Sequence, residues 1–205
     1  MPESPEEIHA RVVAAVGENG RLSMPPVAEW ETFPWELVDG EMRPKAVRAP
    51  LESEAPRHGT GGDDCGICEG TTRTVRIWEG AGFHVSRREE PDGFPLTLFL
   101  NANEHLDFPE LSDEQAADFG RISVRLTRIV EGLPHVGRVH ACRWGDGSEH
   151  MHAWFIARPA RLPGILGSLA VEWAAILPPV DREVWLADCA AVAHKLANHE
   201  GTALA

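Results

Sequence analysis

Positive charge is scarce in this chain. Lysine and arginine total 19 against 32 aspartates and glutamates, giving a net charge of −13 and a pI near 5.2. A field of that sign repels a phosphate backbone and excludes a broad nucleic-acid surface. A small phosphorylated ligand remains open, because a local cationic or metal site can act inside a negative envelope. Long apolar runs are also missing. The most apolar stretch, residues 165–177, is too short to span a bilayer and carries Glu172. The opening residues MPESPEEIHA have neither the basic nor the apolar region of a secretory signal, so a cytoplasmic location is expected, with no membrane partner. Cysteines number only four, which excludes a dense disulfide framework. Two form a close pair. Cys142 and Cys189 fall on apolar-patterned segments and are expected as buried thiols. Internal repeats are absent.

What is present suits a globular protein. Apolar residues make up 43% and charged residues 25% of 205 positions, enough for one domain with extensions. Residues 4–16 predict a helix, with Ser4 as cap, Pro5 at its first position and Glu7 closing a capping box. Residues 24–36 carry Trp30, Phe33 and Trp35 among prolines and read as an irregular segment pinned onto the main domain. Residues 43–64, rich in Pro, Gly and charge, read as a linker.

The core follows. Thr74–Trp78, Phe83–Ser86 and Leu96–Leu100 read as strands, the first two joined by a turn. Ser112, with Gln115 three residues on, opens a long helix whose apolar positions Phe119, Ile122, Leu126, Ile129, Val130 and Leu133 keep a 3.6-residue period. Val139–Trp144 and His150–Ile156 read as an antiparallel hairpin around the tight loop 145–148. Helices are expected over about 165–177 and 181–198, separated by Pro178 and Pro179. This order predicts an α+β domain: an antiparallel sheet of about five strands, a long helix packed on one face, an N-terminal extension and two C-terminal helices. The divisions are 1–64 for helix, aromatic segment and linker, 65–160 for the core domain, and 161–205 for a helical extension packed on that domain.

Two motifs carry chemistry. Cys65 and Cys68 stand as CxxC, which fits half a zinc site or a redox pair. The preceding Gly/Asp linker and the following Glu69-Gly70-Thr71-Thr72 are a poor setting for a thioredoxin-like helix. The second motif is His150-Met151-His152-Ala153-Trp154. With a period of two, His150, His152 and Trp154 share one strand face and Met151, Ala153 and Phe155 the other. Two imidazoles on one face fit a metal ligand beside a group with a free nitrogen. They also fit a polar face open to water.

The order of CxxC, two strands, an apolar strand ending in Asn103-Glu104-His105, a helix opened by Leu-Ser-Asp-Glu and a strand bearing His-x-His resembles the zinc-binding branch of the histidine-triad (HIT) superfamily. That branch includes the galactose-1-phosphate uridylyltransferases. The resemblance covers roughly residues 65–160. It implies a HIT-like fold, a structural zinc held by Cys65, Cys68, His105 and His150, and His152 as the catalytic group that attacks the α-phosphorus of a nucleotide. Two thiolates and two imidazoles form a closed tetrahedral shell, which leaves chemistry to the protein rather than to the metal.

Departures from the pattern concern phosphate. Trp154 stands at the third triad position, where indole donates one N–H and cannot accept. The loop before the motif is short. Its Ser148 and glycine N–H groups make a candidate anion nest that Asp146 and Glu149 oppose. Arg143 stands where the family commonly has Asn, and reads as a phosphate clamp or as a surface arginine. Ser148, Arg143 and Trp154 are thus the candidate substrate-binding residues. His135 and His140 read as ordinary polar or core histidines, Phe94, Phe99 and Trp78 as core. The acidic stretch 88–92 lies where the family often meets ribose, though a solvated loop explains it equally well.

The leading functional expectation is a nucleotidyl hydrolase or transferase working through a covalent nucleotidyl-histidine at His152. Its partner would be a small nucleotide or phosphorylated metabolite, with a homodimer as a further expectation. The alternatives are a non-catalytic zinc-stabilised nucleotide or metabolite-binding protein, motivated by Trp154, and an enzyme of altered chemistry using an open metal position. The last would require His105 to be remote from the other ligands.

Overall fold

A computed structural model of the chain describes residues 2–24 and 32–205. The first element is helix α1 (Pro5–Ala14). Ser4 accepts from the Glu7 N–H at 3.2 Å while Glu7 returns the bond to the Ser4 N–H. That reciprocal pair satisfies two N–H groups that have no partner inside the helix. Next come β1 (Trp35–Val38) and β2 (Glu41–Pro44), an antiparallel two-stranded sheet of its own. Trp35 is 37% exposed there, and its ring meets that of Phe33 edge to face with centroids 5.3 Å apart. The aromatic segment was expected to pin onto the main domain. Instead the structure gives Trp35 to a local hairpin, and Trp30 lies outside the described residues.

The core begins with one helical turn, α2 (Gly66–Glu69), and then β3 (Thr74–Gly80), β4 (Phe83–Arg88) and β5 (Leu96–Ala102). Helix α3 (Asp113–Glu131) starts at the Ser112–Gln115 capping box. Strands β6 (Val136–Cys142) and β7 (His152–Pro159) follow. A single α turn, α4 (Trp173–Ile176), extends a 3-10 segment over Ser168–Glu172, before α5 (Arg182–Ala197) and β8 (Thr202–Ala203). Six strands pair antiparallel in the order β6-β7-β5-β4-β3-β8. The sixth, β8, is two residues long and carries no periodicity to read. The loop between β6 and β7 is longer than the expected tight turn, so His150 precedes the strand rather than opening it. The stretch read as a helix over 165–177 is a 3-10 segment and one α turn.

The period of two sorts the sheet. Leu96, Leu98, Leu100, Ala153, Phe155 and Ala157 turn to one face and meet Ile122, Leu126 and Val130 of α3 and Trp185, Cys189 and Val192 of α5. A buried aromatic such as Trp185 contributes about 3–5 kcal/mol by the cost of its truncation. The opposite face carries Thr97, Phe99, Asn101, His152 and Trp154. One end of it is covered by a second cluster of Phe94, Ile156, Ile165, Ala170 and Leu177, with Val12 of α1 against it. The close approach is forced at Gly93, where a Cβ would lie 2.5 Å from the Leu177 Cβ, and the Gly93 N–H donates to the Ala174 carbonyl at 2.9 Å. The other end of the face stays open. Among the described residues, no helix is long and apolar enough to cross a membrane.

Candidate metal centre and adjoining cavity

Cys65 caps α2, and its carbonyl accepts from the Glu69 N–H at 2.9 Å. The turn of α2 sets Cys68, three residues on, onto the same side as Cys65, and Gly70, at φ +67°, ends the helix. His105 comes from the loop after β5. His150 sits just ahead of β7, held by bonds from the Met151 N–H to the Leu106 carbonyl (2.7 Å) and from the Ala102 N–H to the Met151 carbonyl (3.1 Å). The four ligand atoms lie within 4.8 Å of one another, the one such group among the described residues.

The distances fit an ion. His150 Nδ1 is 3.4 Å from both Cys65 Sγ and Cys68 Sγ, and His105 Nδ1 is 3.5 Å from Cys68 Sγ. Tetrahedral coordination at ordinary zinc bond lengths sets sulfur and nitrogen ligands about 3.5 Å apart. The proton position points the same way. His150 Nε2 lies 2.9 Å from the Ala102 carbonyl, which can only accept, so Nε2 carries the hydrogen. Burial lowers the pKa of this imidazole and keeps it neutral. Its Nδ1 lone pair therefore faces two sulfurs, an arrangement that a cation between them stabilises. With protein groups alone around it, burial and the nearby Cys65 push the Cys68 thiol upward; a bound cation reverses that. The donor set fits zinc. His105 is not remote, so the open-coordination alternative loses its premise.

Beside the centre lies a cavity of about 390 Å³. His152 and Trp154 of β7 and Phe99 and Asn101 of β5 line it from the sheet. Ile67, Thr72 and Thr74 line it from the CxxC side, and His58 and Ser148 from the loops. Phe99 and Trp154 meet edge to face at 4.6 Å, and Trp144 closes on Trp154 at 5.4 Å. A hollow of about 70 Å³ shares Ile67, Thr72, Thr74 and Asn101 with it and adds Arg76 and His84. His84 Nδ1 lies 2.8 Å from Asn103 Oδ1, and burial lowers its pKa to about 4, so it is neutral at ordinary pH.

His152 has a defined tautomer. Its Nδ1 lies 2.8 Å from the His150 carbonyl, an acceptor only, so Nδ1 carries the hydrogen and Nε2 the lone pair. One residue, His150, thus faces the cysteines through its ring and orients its neighbour through its backbone.

No family model and no curated protein matches the sequence. Several solved structures do. A histidine triad protein from Marinobacter aquaeolei VT8 is 19% identical with a TM-score of 0.48, covering 62% of this chain and 90% of that one. Histidine triad protein blr8122 from Bradyrhizobium japonicum is 17% identical with a TM-score of 0.47, covering 62% and 94%. A Zn-bound histidine triad family protein from Mycobacterium smegmatis is 20% identical with a TM-score of 0.46, covering 66% and 95%. The chain is similar to histidine triad proteins.

The structure brings together most residues named from sequence. Cys65, Cys68, His105 and His150 form one cluster, and His152, Ser148 and Trp154 line one cavity. Arg143 is placed elsewhere. Its guanidinium pairs with Asp107 at 2.5 Å and lies over the Phe108 ring, outside the cavity lining. In the loop expected as an anion nest, the Gly147 carbonyl accepts from the His58 N–H, the Glu149 N–H donates to the His58 carbonyl, and Ser148 lines the cavity. Asp92 is occupied by the Phe94 N–H and the Thr97 hydroxyl. Phe94 and Trp78 are core, as expected, whereas Phe99 faces the cavity. Its parity with Asn101, opposite to Leu98 and Leu100, was the available signal. Cys189 is buried as expected, and burial pushes its thiol up to about 12; Cys142 is half-buried. Sequence reasoning missed Arg76 and His58. Arg76 shares strand parity with Thr74. His58 had no local signal, because it sits in the stretch read as linker.

Proposed function

We propose that this chain is a nucleotidyl hydrolase or transferase that acts on a nucleotide phosphate bond through His152, beside a structural zinc held by Cys65, Cys68, His105 and His150. The observation that carries the reading is the His152 ring: Nδ1–H is committed to the His150 carbonyl, and Nε2 is left with its lone pair on a residue that lines the cavity. A ring nitrogen with a free lone pair is a nucleophile. It attacks the α-phosphorus, a P–N bond forms and the bond to the leaving group breaks. Water or an acceptor phosphate then attacks phosphorus, and the P–N bond breaks in turn. When bound, zinc supplies structural tethering and charge that keep the two thiolates and His150 in place. Phe99, Trp154 and Ile67 offer the apolar walls a nucleoside needs; the hydroxyls of Ser148, Thr72 and Thr74 and, from the adjoining hollow, Arg76 can meet phosphate, while Asp64 opposes it.

The test is a panel of nucleotide esters, anhydrides and amidates incubated with wild type and His152→Ala, read as nucleoside monophosphate released and as an intact-protein mass adduct. Turnover and a transient adduct are expected for the wild type and neither for the variant, at equal zinc content. Activity retained by His152→Ala would sink the assigned nucleophile. A second reading, a non-catalytic nucleotide or metabolite binder, is favoured by Trp154 at the third triad position and by Arg143 being tied to Asp107. It expects ligand-induced thermal shifts with no product from any member of the panel.

A further inference from the structure

With Trp154 at the third triad position, β7 offers the cavity no side chain besides His152, the nucleophile, that can both give and take a proton. Indole N–H donates but neither releases a proton near neutral pH nor accepts one. A leaving oxygen or nitrogen of high basicity nevertheless departs from phosphorus only with a proton. A histidine is present at the cavity, but it comes from the segment ahead of CxxC. His58 lines the cavity with His152, Ser148 and Trp154. Its backbone is fixed by a parallel bridge to Ser148: the His58 N–H donates to the Gly147 carbonyl at 3.1 Å, and its carbonyl accepts from the Glu149 N–H at 2.9 Å. Arg57 anchors the same strap to Asp107 at 2.8 Å and to the Gly145 carbonyl at 3.1 Å. Gly59, at φ +78°, lies so close that a Cβ would sit 3.2 Å from the Cys65 Cβ. The strap is therefore seated on the metal centre, while His58 is exposed at the cavity rim, where its side chain meets water.

We propose that His58 is a catalytic residue of this site, the general acid that protonates the leaving group and then the general base for the second step. The inference rests on the reading of His152 as nucleophile. In the first step His152 Nε2 bonds to phosphorus, the bond from phosphorus to the leaving atom breaks, and that atom takes its electron pair and the His58 proton. In the second step His58 takes a proton from the attacking water as its oxygen bonds to phosphorus, and the P–N bond returns its electrons to His152. The protein ends as it began. The cavity then favours substrates whose leaving groups are basic amines or alcohols.

The experiment uses two probes with the same nucleoside 5′-phosphoryl group. One is an alkylamine phosphoramidate, whose leaving amine needs a proton. The other is a p-nitrophenyl ester, whose leaving group needs none. His58→Ala and His58→Gln are both made, and zinc content and melting temperature confirm their folding. Loss of kcat/KM on the amidate of about a hundredfold or more is expected, the usual worth of general acid catalysis, with less than about tenfold on the nitrophenyl ester. His152→Ala should lose both. Equal effects on the two probes, or none, overturn the role of His58 while leaving His152 standing. If His152→Ala retains turnover, or the wild type turns over neither probe, the nucleotidyl-histidine reading falls and the inference with it.

Discussion

His150 spends every polar atom it has. Nε2–H goes to the Ala102 carbonyl, Nδ1 faces two sulfurs, its N–H donates to the Ser148 hydroxyl at 3.3 Å, and its carbonyl accepts from His152. Replacing Cys65 or His150 therefore removes more than a ligand. The wild type is expected to purify with about one zinc per chain and Cys65→Ser with well under one, and the variant's melting temperature should become insensitive to chelator. Elemental analysis and thermal melts with and without EDTA check both. His84 gives a second residue-scale expectation. An unfolded histidine binds its proton near pH 6.5, but the folded side chain resists until about 4, because burial penalises the charged ring. The unfolded state thus binds more protons between those values, and stability falls as pH drops through that window. At pH 5 the penalty is about 2 kcal/mol, at 1.36 kcal/mol per unit. His84→Gln should lose that part of the acid sensitivity, so urea midpoints at pH 7.5 and pH 5 should differ less for the variant than for the wild type. An unchanged gap would place the acid sensitivity in other groups.

At the scale of elements, the strap over residues 57–62 depends on charge. Arg57 pairs with Asp107 and, at 3.4 Å, with Glu149, whose other oxygen accepts from the Gly61 N–H. Asp107 is also gripped by Arg143; burial pushes its carboxyl upward, but Arg57, the Phe108 N–H and Arg143 outweigh that and hold it below the usual range. Asp107→Ala removes both arginine partners at once. Faster amide exchange over residues 57–64, with α3 unchanged, is the expected result by hydrogen-exchange mass spectrometry. Exchange unchanged in the strap would mean that the bridge to Ser148 suffices alone. This strap also marks what could be read from sequence. Ser4 with Glu7 and Ser112 with Gln115 announced two of the capped helices, because capping is local. The parity of His152 and Trp154 against Ala153 and Phe155 announced the two faces of β7. The docking of Arg57 was invisible, since its partners lie 50 and 92 residues away and the intervening composition reads as linker. The two-residue β8 was equally silent: its place comes from pairing with Trp78 and Glu79, not from any pattern of its own.

At the scale of the molecule, the sheet separates two apolar clusters with different duties. The cluster under α3 and α5 includes Trp185, 2% exposed, and holds no group of the cavity. The cluster on the opposite face, around the fully buried Phe94, includes Trp154 among the side chains packed against it, and Trp154 is a cavity wall. A packed interior transmits displacement rather than absorbing it, so a void beneath Trp154 frees that wall to move. Trp185→Ala and Phe94→Ala should each cost about 3–5 kcal/mol of stability by loss of a buried aromatic. They should part company in ligand affinity. Taking adenosine monophosphate as the probe, Trp185→Ala should bind as the wild type does at a temperature where both are folded. Phe94→Ala should bind several-fold more weakly, because an apolar wall that has lost its backing costs ordering on binding. Calorimetric titration of the two variants decides it: equal affinities would show that Trp154 is held by Phe99 and Trp144 alone, and that the second cluster serves only to cover the sheet.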